Sequence, residues 1–144
     1  MKSVGIRGVV LLVLVFAFAV PVFASQRTGA SGYAWLTGFD IGDDGEEIVV
    51  AQWSGTFAGE LRHAFDGGRA VRAEFTGSVA GLEGSIDMII LKVWGDPAIP
   101  GYHGRWVILK GYGELENLRG EGTFQFEDGV PAGPYTGEIH FDPE

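Results

Sequence analysis

The chain reads as an all-β protein: a single antiparallel meander of eight strands closing into a small barrel. Three observations predict this. Apolar and polar residues alternate with period two in stretch after stretch. Turn signals separate those stretches at short intervals. Glycine supplies 24 of the 144 residues, more than double the usual share of ~7%.

The alternation is clearest at Val71, Ala73, Phe75 and Val79, which take one face against Arg72, Glu74, Thr76 and Ser78 on the other. One face is dry and one wet, as in an antiparallel sheet. Val49, Ala51, Trp53 and Phe57 alternate with Val50, Gln52, Ser54 and Thr56. Phe124 and Phe126 do so with Thr123, Gln125 and Glu127, and Tyr135, Ile139 and Phe141 with Thr136, Glu138, His140 and Asp142. Residues 86–94 are apolar on both faces around Met88-Ile89-Ile90-Leu91, which marks a strand buried or covered on both sides. Turns are signalled at Asp43-Asp44-Gly45, Asp66-Gly67-Gly68, Gly81 to Gly84, Asn117 to Gly120 and Asp128-Gly129. The strands are therefore expected near 33–40, 46–57, 59–66, 69–80, 83–94, 104–114, 119–127 and 134–141.

Short strands joined by tight turns leave two sheet edges, and closure into a barrel removes both. A two-sheet β-sandwich is the alternative. Glycine recurs at alternate strand positions: Gly55 and Gly59, Gly77 and Gly81, Gly111 and Gly113, Gly120 and Gly122. A missing side chain leaves room for sharp coiling, or for an aromatic ring from a neighbouring strand to lie over the gap. Trp53, Phe57, Phe75, Phe124 and Tyr135 are at hand for that packing.

The N-terminus has a different character. Lys2 and Arg7 precede an apolar run from Val9 to Val20, then Pro21 and Val22-Phe23-Ala24 before Ser25. This is the order of a secretory signal peptide. The run is well short of the ~20 residues of a spanning helix. Residues 1–24 are thus expected to be removed, 25–32 to form a flexible lead-in and 33–144 to form the barrel. Cleavage there leaves 120 residues of net charge −11, because Lys2 and Arg7 are the only charges lost. The expected location is secreted or periplasmic, with no stable membrane anchor after cleavage. An acidic chain of this kind is a poor partner for nucleic acid or anionic lipid. Cysteine is absent, which excludes disulfides, thiol catalysis and a thioether-linked lipid.

The segment Gly111-Tyr112-Gly113-Glu114-Leu115-Glu116-Asn117-Leu118-Arg119-Gly120-Glu121-Gly122-Thr123-Phe124, with the closing strand Tyr135 to Phe141, resembles an uncharacterised bacterial family of small β-barrels. Those proteins are grouped by fold with allene oxide cyclase and the dirigent proteins. The likeness covers residues 111–141 by motif and the rest by pattern only. It implies a barrel and transfers no catalytic residue. The signal peptide departs from many members of that family.

The longest connection is Gly95 to Gly104, flanked by Trp94 and by Arg105-Trp106. Loops at a barrel mouth commonly carry function. Trp94, Tyr102, His103, Arg105 and Trp106 are therefore the candidate ligand-binding residues, suited to a flat apolar body with an acidic group. A proline-stiffened plug is the competing reading of the same loop. His63 shares strand parity with Leu61 and Phe65 and is the sixth candidate, pointing inward. Lys92 and Lys110 share faces with Ile90 and Trp106, and are read as rim or outward lysines. His63, His103 and His140 lie 40 and 37 residues apart, unlike the short spacings of zinc sites. The acidic stretch from Asp40 to Glu47 fails the EF-hand pattern, since its third and twelfth positions are Gly42 and Ala51. No nucleophile elbow, phosphate loop or His-Glu-x-x-His motif is present, so no metal or cofactor is implied. The expectation is a small apolar or aromatic ligand, or a partner, held at the barrel mouth. A cyclase- or isomerase-like enzyme and a structural or assembly protein are the alternatives.

Overall fold

The computed structural model describes residues 26–64, 70–93, 102–126 and 131–143. Eight strands run β1 (Thr28–Ile41), β2 (Glu47–Gly55), β3 (Phe57–Ala64), β4 (Ala70–Val79), β5 (Leu82–Val93), β6 (Tyr102–Gly113), β7 (Leu118–Phe126) and β8 (Ala132–Phe141). Each pairs antiparallel with the next, and β8 returns to β1 to close the barrel. The sandwich alternative is set aside by that last ladder. All eight expected strands are present.

One boundary is corrected. Thr28 to Gly32, expected in a flexible lead-in, is the first part of β1 and pairs with Ile139 to Tyr135 of β8. Small residues suit it to this place. Ala30 is buried against a wall whose facing residue is Gly137, where nothing larger has room.

The period-two pattern becomes inside and outside. Val71, Ala73, Phe75 and Val79 are buried, while Arg72, Glu74 and Thr76 are exposed. The turn between β4 and β5 is two residues, Ala80 and Gly81, both with positive φ (50° and 87°). That is the hairpin geometry whose twist matches the flanking strands.

Trp106 lies at the centre of the interior, fully buried. A Cβ added at Gly122 or at Gly137 would overlap its indole ring, so the ring lies flat against a wall that has no side chains. Tyr135 covers Gly32 in the same way, and Phe124 covers Gly104, where an added Cβ would stand 2.6 Å from the ring. Trp53 and Phe57 meet Trp106 edge-on, at 6.5 and 5.3 Å between ring centroids. Edge-to-face contacts of this kind add to the burial of area. The expected packing of aromatics over glycines is thus found, with Trp106 as its largest member.

Tyr135 also fastens the wall. Its hydroxyl donates to the Ser54 carbonyl at 2.7 Å and accepts from the Phe57 amide at 2.9 Å. The Ser54 carbonyl and the Phe57 amide, on either side of the β2–β3 turn, are thereby tied to β8. The turn and termini end of the barrel is filled by Leu115 and Leu118, both fully buried.

Three substitutions test this packing. Gly122→Ala should lose about 2 kcal/mol or more in a denaturant titration, because Trp106 and the Thr136 carbonyl both have to shift. Gly29→Ala, with nothing within 4 Å of the added carbon, should stay within about 0.5 kcal/mol. Tyr135→Phe strands the buried Phe57 amide and should cost about 1–3 kcal/mol. Burial raises the Tyr135 phenol above its ordinary range. The unfolded chain therefore releases this proton first, and stability falls as pH rises past about 10. Unfolding curves of Tyr135→Phe between pH 8 and 11 should be flatter by that contribution.

Candidate functional site

Four connections join strands at the end opposite Leu115. They are 42–46, 65–69, 94–101 and 127–130, of which only the first lies among the described residues. Trp94 and most of the long connection therefore fall outside them. Tyr102 is placed only by its backbone, opposite Phe126.

This end holds a cavity of about 190 Å³. Its walls come from five strands. β2 supplies Val49, Ala51 and Trp53, β3 supplies Leu61 and His63, and β5 supplies Ile90 and Lys92. Phe124 and Phe126 on β7 and Leu36 and Phe39 on β1 complete the lining with Pro131. The lining is apolar apart from His63 and Lys92. Trp53, only 4% exposed, is where the cavity meets the packed interior.

Phe39 reaches the cavity through a bulge. Leu36 pairs with Ala51, but Gly38 pairs with Val50 and Phe39 with Val49. Thr37 is the extra residue, and its hydroxyl donates to the Val50 carbonyl at 3.1 Å. One inserted residue reverses the faces beyond it. Phe39 and Ile41 thus continue the inner face past the rim, and stand 62% and 72% exposed. They form an apolar lip. Asp40 takes the outer side of the same strand and pairs with Arg62 of β3. That guanidinium holds the Asp40 carboxyl below the usual carboxylate range.

His63 faces inward, between Val49 and Ala73 on the flanking strands, with Nδ1 2.9 Å from the Ala64 carbonyl oxygen. Lys92, expected to be a rim or outward lysine, instead faces inward and lines this cavity, on the same side of β5 as Ile90 and opposite Gly104. Lys110 does not. A second bulge, at Leu109 between the Met88–Ile108 and Asp87–Lys110 pairs, turns it outward over the Tyr112 ring at 5.2 Å.

Of the other candidates, His103, Arg105 and Trp106 are not brought together at the mouth. Trp106 is corrected outright: it is core, not ligand contact, because its ring fills the barrel centre. Parity then decides its neighbours. With Gly104 and Trp106 inside, His103 and Arg105 point out through the wall. Arg105 pairs there with Glu121 at 3.2 Å. His103 borders an outer surface depression with Arg105 and Pro134. His140 is outside as well, 3.1 Å from Asp142, which also meets Arg119 at 3.3 Å. The three histidines stand on three different strands, and among the described residues no group of three could hold a metal ion. The acidic hairpin folds on itself, with the Glu46 amide donating to Asp44 at 3.1 Å.

No protein-family model matches the chain, and no curated protein matches it. Among solved structures, it is similar to a protein of unknown function from the DUF3224 family of Shewanella oneidensis. The identity is 18% and the TM-score 0.55, over 83% of this chain and 100% of that one. The likeness is one of fold: an uncharacterised barrel protein shares this architecture.

Proposed function

We propose that the protein binds a small apolar or aromatic molecule at the barrel mouth. The observation that carries this is the apolar cavity lined by Ala51, Trp53, Leu61, Phe39 and Phe126, continued outward by an exposed Phe39–Ile41 lip. Solvent-facing apolar side chains that extend an inner wall suit a ligand that bridges rim and interior. Size limits the ligand. Drug-sized molecules occupy about 300–1,000 Å³, whereas an apolar cavity of ~150 Å³ takes one benzene ring. At about 190 Å³, the mouth takes one ring or a short chain.

The cyclase-like alternative needs room to fold a substrate inside the barrel. Below the mouth that space is taken by Trp106, Tyr135, Phe57 and Phe75, all nearly or fully buried. Binding is therefore favoured over enclosed catalysis. Export completes the proposal. It rests on the charged, apolar and small-residue order of residues 1–24, and it places the mouth in contact with the periplasm or the medium.

Toluene should raise the melting temperature of the purified protein by several degrees once well above its Kd. Ala51→Leu puts a branched side chain into the cavity and should abolish that rise while the protein still melts cooperatively. A toluene shift that survives in Ala51→Leu would place binding elsewhere. In the producing cell, the exported protein should have a mass that starts at Ser25, and a retained Met1 would defeat the export reading.

A further inference from the structure

We infer that the protein carries a second binding site, on the outer wall at the Leu115 end, and that this site takes a neutral saccharide. The site is an open groove of about 840 Å³, floored by Ala58, Thr76, Ser78 and Ser85 and bordered by Tyr112 and Glu83. It lies at the other end of the barrel from the mouth, where the β4–β5 and β6–β7 turns are. It stands whether or not the mouth binds an apolar ligand.

The ladder registers assemble the groove. Tyr112 of β6 pairs with Ser85 of β5, and Ser85 with Thr76 of β4. Two residues nearer the turn, Glu83 pairs with Ser78, and Ser78 with Ala58 of β3. Short side chains therefore occupy the middle, with an aromatic ring on one border. Tyr112 is 41% exposed, yet its ring is held in place. Its hydroxyl donates to the Asp87 carboxylate at 2.8 Å, and the Lys110 ammonium stands 5.2 Å from the ring centroid. Glu114 borders the same groove, and its carboxylate accepts from the Glu83 amide at 3.4 Å.

This lining selects its ligand by exclusion and by fit. The groove is open, so an apolar molecule would stay largely in water there and gain little from burial. Glu83 and Glu114, on a chain that is acidic overall, repel anions. A cation meets Lys110, already placed over the ring. What fits is a neutral molecule with one C–H face and many hydroxyls. The electron-rich face of the Tyr112 ring attracts C–H hydrogens. The Glu83 and Glu114 carboxylates accept charge-assisted hydrogen bonds from sugar hydroxyls, and the Ser and Thr hydroxyls both donate and accept. Three strand spacings of about 4.8 Å each separate β6 from β3, so the groove offers room for more than one sugar ring.

Four neutral probes test this by calorimetry on the purified protein: cellohexaose, xylohexaose, maltohexaose and the hexamer of N-acetylglucosamine. At least one should bind with a Kd of about 1 mM or tighter. Tyr112→Ala should weaken that sugar about ten-fold or more, the effect of removing an aromatic anchor. Tyr112→Phe keeps the ring and should stay within about three-fold of the unaltered protein. Ser85→Gln raises the floor beside the ring and should weaken binding too, a test that leaves Tyr112 in place. Failure of all four probes to bind, or binding unchanged in both Tyr112→Ala and Ser85→Gln, overturns the site. Tighter binding of the cationic glucosamine hexamer than of its N-acetylated counterpart overturns the neutral class.

Discussion

The contact on which the structure depends is the indole of Trp106 lying against the bare backbone at Gly122 and Gly137. A ring that size fits inside so small a barrel only where the neighbouring strands it lies across carry no side chains in register with it, as at Gly122 and Gly137. The glycines let β7 and β8 come close enough for the ring to touch both. Trp53, Phe57 and Tyr135 then pack round its edges. Without that contact the interior would be hollow, and a hollow of this kind forfeits dispersion contacts along its whole lining. The fit has a cost. The Trp106 indole nitrogen is buried and finds no hydrogen-bond partner among the described residues.

A filled centre decides where function is to be sought. Leu115 and Leu118 occupy one end, and among the described residues the apolar cavity lies toward the other, above Trp53. The bulge at Thr37 enlarges that end on one side by bringing Phe39 and Ile41 onto the inner surface. Aromatic-over-glycine packing recurs toward that end: Gly122 and Gly137 admit the Trp106 ring, and Gly104 admits the Phe124 ring that lines the cavity.

The strands were legible because burial on one face imposes a period of two, and that period survives in the chain as Val71, Ala73, Phe75 and Val79. His63 was legible for the same reason, by its parity with Leu61. Trp106 was misassigned by proximity along the chain. It stands beside the long connection, but parity with Gly104 separates it from His103 and Arg105. That signal was present and outweighed by the clustering of aromatic and basic residues. Phe39 was beyond reach, because it follows a bulge, whereas the outward Lys110 agrees with its reading and Lys92, read alike, lines the cavity instead. A single extra residue reverses the face of everything after it, and nothing in Leu36-Thr37-Gly38 or Ile108-Leu109-Lys110 announces which residue is extra.

The amino-acid sequence by itself determined an acidic, cysteine-free chain, an N-terminal segment of different character, eight strands and a demand for glycine where aromatics are dense. These are local or compositional properties, written into neighbours a few positions apart. Tertiary structure alone decided that β8 closes on β1, that Trp106 belongs to the core, and that Phe39, His63 and Lys92 share one cavity. Those residues stand on β1, β3 and β5, and only the ladder registers bring them to the same level. Register is a relation between strands, set by bulges and by closure, so no single stretch of sequence contains it.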